Sequence, residues 1–324
     1  MKKIFVRSPY FIQIDEPNQL SGSIELYIWN KNSTEPTTPN YTLSKDIPTA
    51  NQPVLSWNIS NYALEFIKPI KTTTVSVPTE EDVNTWCYMR VISYSDGEEV
   101  ADETYICLNG YTNYSIGYNQ YSDYIVVPLV NPTITFQKTD TIVPYVNVFY
   151  EQGDYEVIDY GTLTVTEPGM WKIPLTDNVN GDDYFEYYSV EVCEPKYTPI
   201  TCTYINRFGG WQFLTFFKAS SELIDTEYKE FNLMPSNVDY DPYLGVNKVF
   251  NNQGKQSIKC NTGWVDENYF ELIQDLLLSE TILLGNKPVT IKSKSMDKKT
   301  YIKDKNINYT IDFQYAFGLI NDIM

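Results

Sequence analysis

Trp86-Cys87-Tyr88-Met89-Arg90-Val91-Ile92-Ser93-Tyr94-Ser95-Asp96-Gly97-Glu98-Glu99-Val100-Ala101-Asp102-Glu103-Thr104-Tyr105-Ile106-Cys107-Leu108 is the stretch that decides the fold. Two runs rich in β-branched and aromatic residues, Trp86 to Ser93 and Glu99 to Leu108, flank Ser95-Asp96-Gly97. Asp and Gly tolerate positive φ, so this turn reads as the tip of a β-hairpin. Cys87 and Cys107 stand almost symmetrically about it and are expected as near cross-strand neighbours. Whether they share a face depends on loop length, because a one-residue change of register reverses the alternation.

Toward the N-terminus the same pattern continues. Ile24 to Trp29 is a strand, followed by a turn-rich run from Asn30 to Asn40 with Pro36 and Pro39. Further strands are expected at Trp57 to Ile59 and Thr72 to Val77. Short strands at this spacing predict an immunoglobulin- or fibronectin-like β module over residues 1–110. Toward the C-terminus, residues 111–199 read as a second β module. Its strands fall at 124–129, 133–137, 145–150, 162–165, 171–174 and 184–192, with turns at Pro168-Gly169 and Asn180-Gly181. Residues 200–324 change character. Ile200 to Asn206 and Trp211 to Phe217 are strand-like, and Val246 to Phe250 and Ser257 to Cys260 flank a second expected hairpin turn at Asn251 to Gly254. From about Asp266 to Ser279 runs the one persuasive helix. Tyr269, Ile273, Leu276 and Leu277 line one face at i, i+4, i+7, i+8 spacing, and Asp266 and Glu267 complement the dipole at its start. Val289 to Lys292 and Asn308 to Tyr315 close an α+β region. The fold class expected is mainly β: two N-terminal β-sandwich-like modules, then a C-terminal α+β region with one amphipathic helix.

Composition narrows the function. The chain has 324 residues, a net charge of −18, 28 Tyr and no His. That acidity denies it the counterion release that drives general binding to nucleic-acid phosphates. The lack of His removes His-based triads, HExxH zinc sites and the usual proton shuttle near neutral pH. With 42 Asp and Glu, a carboxylate pair picked by eye says nothing about catalysis. The expectation is no enzyme, no catalytic or metal-ligating residue and no cofactor. Five Cys without CxxC spacing are expected to be reduced and structural. No stretch approaches the ~20 apolar residues of a membrane span, and the basic N-terminus lacks the apolar run of a secretion signal. A cytosolic origin is the expectation.

Two motif-like stretches fail their tests. Gly254-Lys255 is followed by Gln256 where a phosphate loop needs Ser or Thr, and its preceding Gly is too distant. Around Gly181, a calcium loop would need carboxylates at Thr176 and Tyr187. Two charge runs remain: an acidic one from Glu80 to Glu103, and a lysine run from Lys287 to Lys305 that includes Lys292, Lys294, Lys298 and Lys299. Each reads either as a solvated face or as opposite ends of subunits that meet in a stack or ring; the lysines could alternatively line a DNA channel. Tyr111, Tyr114, Tyr118, Tyr121 and Tyr124, interleaved with Asn, Ser and Gly, read either as an adaptable binding surface or as an aromatic strand packed on its own module.

Several segments together resemble a known group. Val6-Arg7-Ser8-Pro9-Tyr10-Phe11-Ile12, Glu25 to Asn30 and Glu35-Pro36-Thr37-Thr38-Pro39 are similar to the opening of virion structural proteins from crAss-like tailed bacteriophages. Ile205-Asn206-Arg207-Phe208-Gly209-Gly210-Trp211 and Asn261-Thr262-Gly263-Trp264-Val265 with its following helix carry the likeness to the other end of the chain. The resemblance implies a collar, ring, tail-barrel or hub subunit of the portal–tail complex, assembled with high rotational symmetry. It implies partners that are copies of itself and neighbouring virion proteins, DNA contact at most through a lumen, and a place in the virion after assembly in the host cytoplasm. It transfers no active-site residue. The alternative is a phage receptor- or glycan-binding adhesin, in which Trp and Tyr platforms stack on sugars.

Overall fold

A computed structural model describes residues 2–30, 33–47, 54–68, 86–112, 125–128, 133–137, 141–142, 145–149, 155–159, 163–164, 169–176, 183–193, 197–207, 209, 211–216, 218–233, 241, 243, 245–265, 269–293, 295–297 and 307–320. Between 125 and 193 the description is of strand course and pairing. The strand expected over Thr72 to Val77 and the turn at Asn180-Gly181 lie outside the described residues. The protein is mainly β, and its chain divides into two compact units. Unit 1 comprises residues 1–194, 203–214 and 271–281; unit 2 comprises 195–202, 215–270 and 282–324.

Unit 1 opens with β1 (Lys2–Phe5), β2 (Phe11–Ile14), β3 (Ser21–Trp29), β4 (Tyr41–Asp46), β5 (Leu55–Asn58), the short helix α1 (Ser60–Leu64), β6 (Trp86–Ser95) and β7 (Glu98–Leu108). Five strands form a sheet in the order β1-β7-β6-β3-β4, and β2 pairs with β5 as a second layer. Burial along β3 alternates strictly, which places Ile24, Leu26 and Ile28 on one face. They pack with Ile4, Met89, Val91 and Tyr105 of the same sheet against Ile14, Leu55 and Trp57 of the β2–β5 layer and Ile59 and Ala63 at α1. Two layers closing on one apolar core is a sandwich-like arrangement.

The Asp96-Gly97 turn is as the sequence predicts. Both residues have positive φ, 50° and 92°, as a two-residue type I′ connection requires. Asp96 does more than turn the chain. Its carboxylate accepts hydrogen bonds from the backbone N–H of Leu20 (3.0 Å) and of Ser21 (2.8 Å) and from the Ser21 hydroxyl (3.1 Å), fastening the start of β3. Those donors hold the Asp96 carboxyl below the ordinary carboxylate range. Cys87 and Cys107 are direct cross-strand partners, and both are fully buried free thiols. Burial, followed by the neighbouring Cys87, pushes the Cys107 thiol well up.

The rest of unit 1's strands up to residue 194 follow in order: β8 (Ile125–Pro128), β9 (Thr133–Gln137), β10 (Thr141–Ile142), β11 (Tyr145–Phe149), β12 (Tyr155–Asp159), β13 (Leu163–Thr164), β14 (Gly169–Thr176) and β15 (Asp183–Cys193). They make sheets β12-β11-β8 and β14-β15-β9 and the pair β10-β13. β9 runs parallel to β15, and every other described pairing among them is antiparallel.

The C-terminal strands are β16 (Ile200–Ile205), β17 (Trp211–Phe216), β18 (Ser221–Asn232), β19 (Asn247–Asn261), β20 (Ile282–Leu284), β21 (Lys287–Ile291) and β22 (Thr310–Gly318), with helix α2 (Tyr269–Leu278) between β19 and β20. The sheet order is β17-β16-β20-β21-β22-β19-β18. Ile258, Cys260, Val289, Ile311 and Phe313 form the apolar interior of unit 2, with Phe216 edge-on to Phe313 at 5.8 Å. In α2, Tyr269, Leu272, Ile273 and Leu276 are buried and Leu277 is half-buried, so the expected apolar face is present over Tyr269–Leu278; Asp266 and Glu267, expected at the helix start, lie outside the described residues.

One expectation is corrected. Asn251-Asn252-Gln253-Gly254 is not a hairpin turn: β19 runs unbroken through it, paired with β18, a strand absent from the sequence reading. The register steps by two residues on β18 and three on β19 between the Glu227–Gln253 and Lys229–Phe250 pairs. Asn251, at φ 52°, takes up the extra residue as a β-bulge.

Candidate interaction surfaces

The Tyr111 candidate is part of an internal clasp in unit 1. Arg7 lies over its ring at 5.2 Å, and the Tyr111 N–H donates to the Arg207 carbonyl at 2.8 Å. Burial, followed by the negative Asp275, pushes the Tyr111 phenol up to about 12. The same Arg7 guanidinium donates to the carbonyl of Leu278 at 3.2 Å and pairs with Glu280 at 3.1 Å. Helix α2 has no basic residue in its last turn, so Arg7 supplies from another segment the cation that a helix C-terminus favours. Gly209 fits beside this clasp: a Cβ there would stand 2.8 Å from the Asn109 nitrogen, and its φ is +87°. Lys292, the other candidate the structure describes, bonds Asp225 at 2.8 Å within unit 2. Tyr114, Tyr118, Tyr121, Tyr124, Lys294, Lys298 and Lys299 lie outside the described residues, as do residues 177–182.

Two surfaces that sequence reasoning missed stand out. The first is a cleft of about 250 Å³ at the open margin of the unit 1 sandwich. One wall is β2 with Tyr10, Phe11, Ile12 and Ile14; the other is β7 and β6 with Val100, Glu103, Tyr105 and Val91. The margin is open because β1 covers only Tyr105 to Leu108 of β7, which leaves residues 98–104 without a described strand on that side. Glu103 pairs with Lys2 at 3.2 Å and accepts a hydrogen bond from the Tyr105 hydroxyl. That bond, then Lys2, holds the Glu103 carboxyl below its usual range against the opposing effect of burial. Glu98 and Glu99 are exposed at the same end of β7.

The second surface is the β18–β19 ribbon. All of β18 is exposed, and β19 is largely exposed until Gly254. Beyond the bulge, pairing puts Lys229 opposite Phe250 and Phe231 opposite Lys248. The Leu233 N–H bonds the Val246 carbonyl, which extends the same face by one step. Side chains two residues apart share a face, so Phe231, Leu233, Val246 and Phe250 share one with Lys229 and with Lys248, which stands between Val246 and Phe250. Phe231 and Phe250 meet edge-to-face at 5.6 Å. The four apolar residues are 36–52% exposed. The opposite face carries Glu230, Asn232 and Asn247 with Val249. This ribbon is amphipathic, with its apolar side open.

No protein-family model and no curated protein matches this chain.

Among the described residues, no group of three or more His, Cys, Asp or Glu side chains could hold a metal ion. None of the described helices is long and apolar enough to cross a membrane. What the arrangement offers chemically is contact: an exposed ribbon face of four apolar side chains interspersed with two lysines, and a cleft of mixed lining in which Lys2, Gln13 and Glu103 stand beside Phe11, Ile12 and Val100.

Proposed function

We propose that this protein is a structural subunit of the tail or neck of a tailed bacteriophage, joined to copies of itself and to neighbouring virion proteins in a symmetric ring or barrel. The observation that carries the reading is the open apolar face of the β18–β19 ribbon. A two-stranded ribbon is marginal on its own in water, and an exposed apolar sheet face is a liability unless something covers it. Lasting assembly supplies such a cover. The motifs around Arg7, Pro36 and Gly209, similar to those of crAss-like virion proteins, support the same reading. On this reading the protein has no catalytic turnover, is built in the host cytoplasm and resides in the particle, where DNA meets it at most through a lumen.

Quantitative mass spectrometry and electron cryomicroscopy of the particle that contains the protein test the proposal. Several copies about a rotation axis at the tail or neck are expected. One isolated, non-symmetric copy, or none in the particle, overturns it.

A second reading, a glycan- or receptor-binding adhesin, draws on the cleft, where Tyr10 and Phe11 stand beside Gln13 and Glu103. Aromatic faces next to hydrogen-bonding groups suit sugars. Fibre-tip placement of the protein in the same images would favour it.

A further inference from the structure

We propose that Cys87 and Cys107 form a latent cross-strand disulfide, open while the chain folds among reducing thiols and closed when the protein meets a small-molecule disulfide. The inference stands apart from the assembly reading and concerns one hairpin of unit 1. β6 and β7 place Cys87 directly opposite Cys107, with the pairs Trp86–Leu108 and Tyr88–Ile106 on either side. Directly opposed residues of an antiparallel pair have Cα atoms about 4.5 or 5.5 Å apart, according to the hydrogen-bond pattern. Both values fall inside the span of roughly 4.4–6.8 Å that a disulfide bridges. Opposed side chains also share a face, and here that face is the core. Both residues are fully buried free thiols, and the two hydrogen-bond each other. Cys87 further donates to the Ala63 carbonyl at 3.8 Å. Closure removes that weak donor, yet the carbonyl keeps the Phe66 N–H at 3.1 Å, so no buried acceptor is stranded. The other buried free thiols, Cys202 and Cys260, stand on β16 and β19 with β20, β21 and β22 between them, so no register sets them opposite each other.

The closing step is thiol–disulfide exchange, with a glutathione-type disulfide as the oxidant. One cysteine, as its thiolate, attacks a sulfur of the oxidant, whose S–S bond breaks and whose other half leaves as a thiolate. The second cysteine, as its thiolate, attacks the protein sulfur of this mixed disulfide. The Cys87–Cys107 bond forms and the remaining half of the oxidant leaves. The protein loses two electrons and two protons, and the oxidant gains both as two thiols. Burial governs the rate. It pushes the Cys107 thiol up and keeps oxidant from the closed sandwich, so exchange proceeds through opening of the hairpin. Once formed, the bond ties β6 to β7 across the Asp96-Gly97 turn and withdraws chain entropy from the unfolded state. A chain that folds in a reducing cytoplasm and later leaves it meets that change of surroundings, and the bridge then fixes the first sandwich in place.

Thiol counting with peptide mapping tests the bridge. The full chain, purified reduced, is equilibrated at mildly alkaline pH with mixtures of reduced and oxidised glutathione, with and without sub-denaturing urea, then alkylated and digested. In oxidising mixtures the count of free thiols is expected to fall by two from five, with a linked peptide pair carrying Cys87 and Cys107. Urea is expected to speed its appearance severalfold, and dithiothreitol to restore every thiol. The bridged protein is expected to melt about 5–10 °C above the reduced one. The double variant Cys87→Ala with Cys107→Ala is expected to show no such response to oxidant. Should that variant not fold, reversal of the wild-type shift by dithiothreitol makes the same comparison. Five free thiols at equilibrium in the oxidising, urea-containing mixture overturn the inference. So does a glutathione adduct on Cys87 or Cys107 that never resolves, because the two sulfurs are then out of reach of each other. A bridge between other cysteines with this pair still free overturns it as well. A bridged protein that melts below the reduced one also does, because the opposed pair then does not fit the bond. The particle images judge the assembly reading separately in every case.

Discussion

Asp96 both turns the chain and anchors a neighbouring strand. It sits at a positive-φ turn position and gathers three donors from Leu20 and Ser21. Its carboxyl titrates below the usual 3.8 in the folded protein. A depressed folded value means that the charged form contributes stability above the unfolded value and that the contribution fades as pH falls through the folded one. The Asp96→Asn variant is therefore expected to be less stable than the wild type near neutral pH. The gap should narrow as pH drops below about 4, as read by urea midpoints across pH; a gap that widens with acid would refute the assignment. Gly209 is the second telling residue. Its φ of +87° and the Asn109 backbone within 2.9 Å leave no space for a methyl group. Gly209→Ala is expected to cost about 1–3 kcal/mol or more, seen as a lower denaturant midpoint with unchanged slope. The sequence presented this glycine only as part of a familiar string; its reason is the close approach of a segment roughly 100 residues earlier, which no local pattern displays.

Among the elements, those with a buried and an exposed side were legible. β3 alternates burial residue by residue, the β6–β7 turn has the one dipeptide that suits it, and α2 repeats its apolar residues at the helical period. β18 was not legible, because Ser221 to Asn232 is exposed on both sides and nothing forces alternation where neither face enters a core. The same absence of a core let Asn251 to Gly254 pass for a turn when it is a bulge within a 15-residue strand. The cleft was equally hidden, since its walls come from β2 and β7, far apart in the chain. For α2 a packing test is direct. Ile273 is fully buried, so Ile273→Ala should destabilise by about 2–5 kcal/mol, measured by chemical denaturation. A loss under ~0.5 kcal/mol would mean that this helix face is not packed as described.

The whole molecule combines a well-buried sandwich in unit 1 with a sheet in unit 2 that ends in an uncovered ribbon. That contrast is what the proposed assembly explains, and it predicts uneven protection. In hydrogen exchange, amides of β3 and β6 should exchange far more slowly than those of β18 in the unassembled chain. On association, slowing should concentrate at 229–233 and 246–250; slowing confined to other strands would place the contact elsewhere. The parallel pairing of Lys2–Phe5 with Tyr105–Leu108 also bears on biosynthesis. β1 leaves the ribosome with no strand to join until roughly 100 further residues have been made, an interval of about 5–20 s at ordinary elongation rates. Until then Ile4, which ends fully buried against that later strand, stays in water, and the first module can close only after the Asp96-Gly97 turn has brought β7 back to meet it.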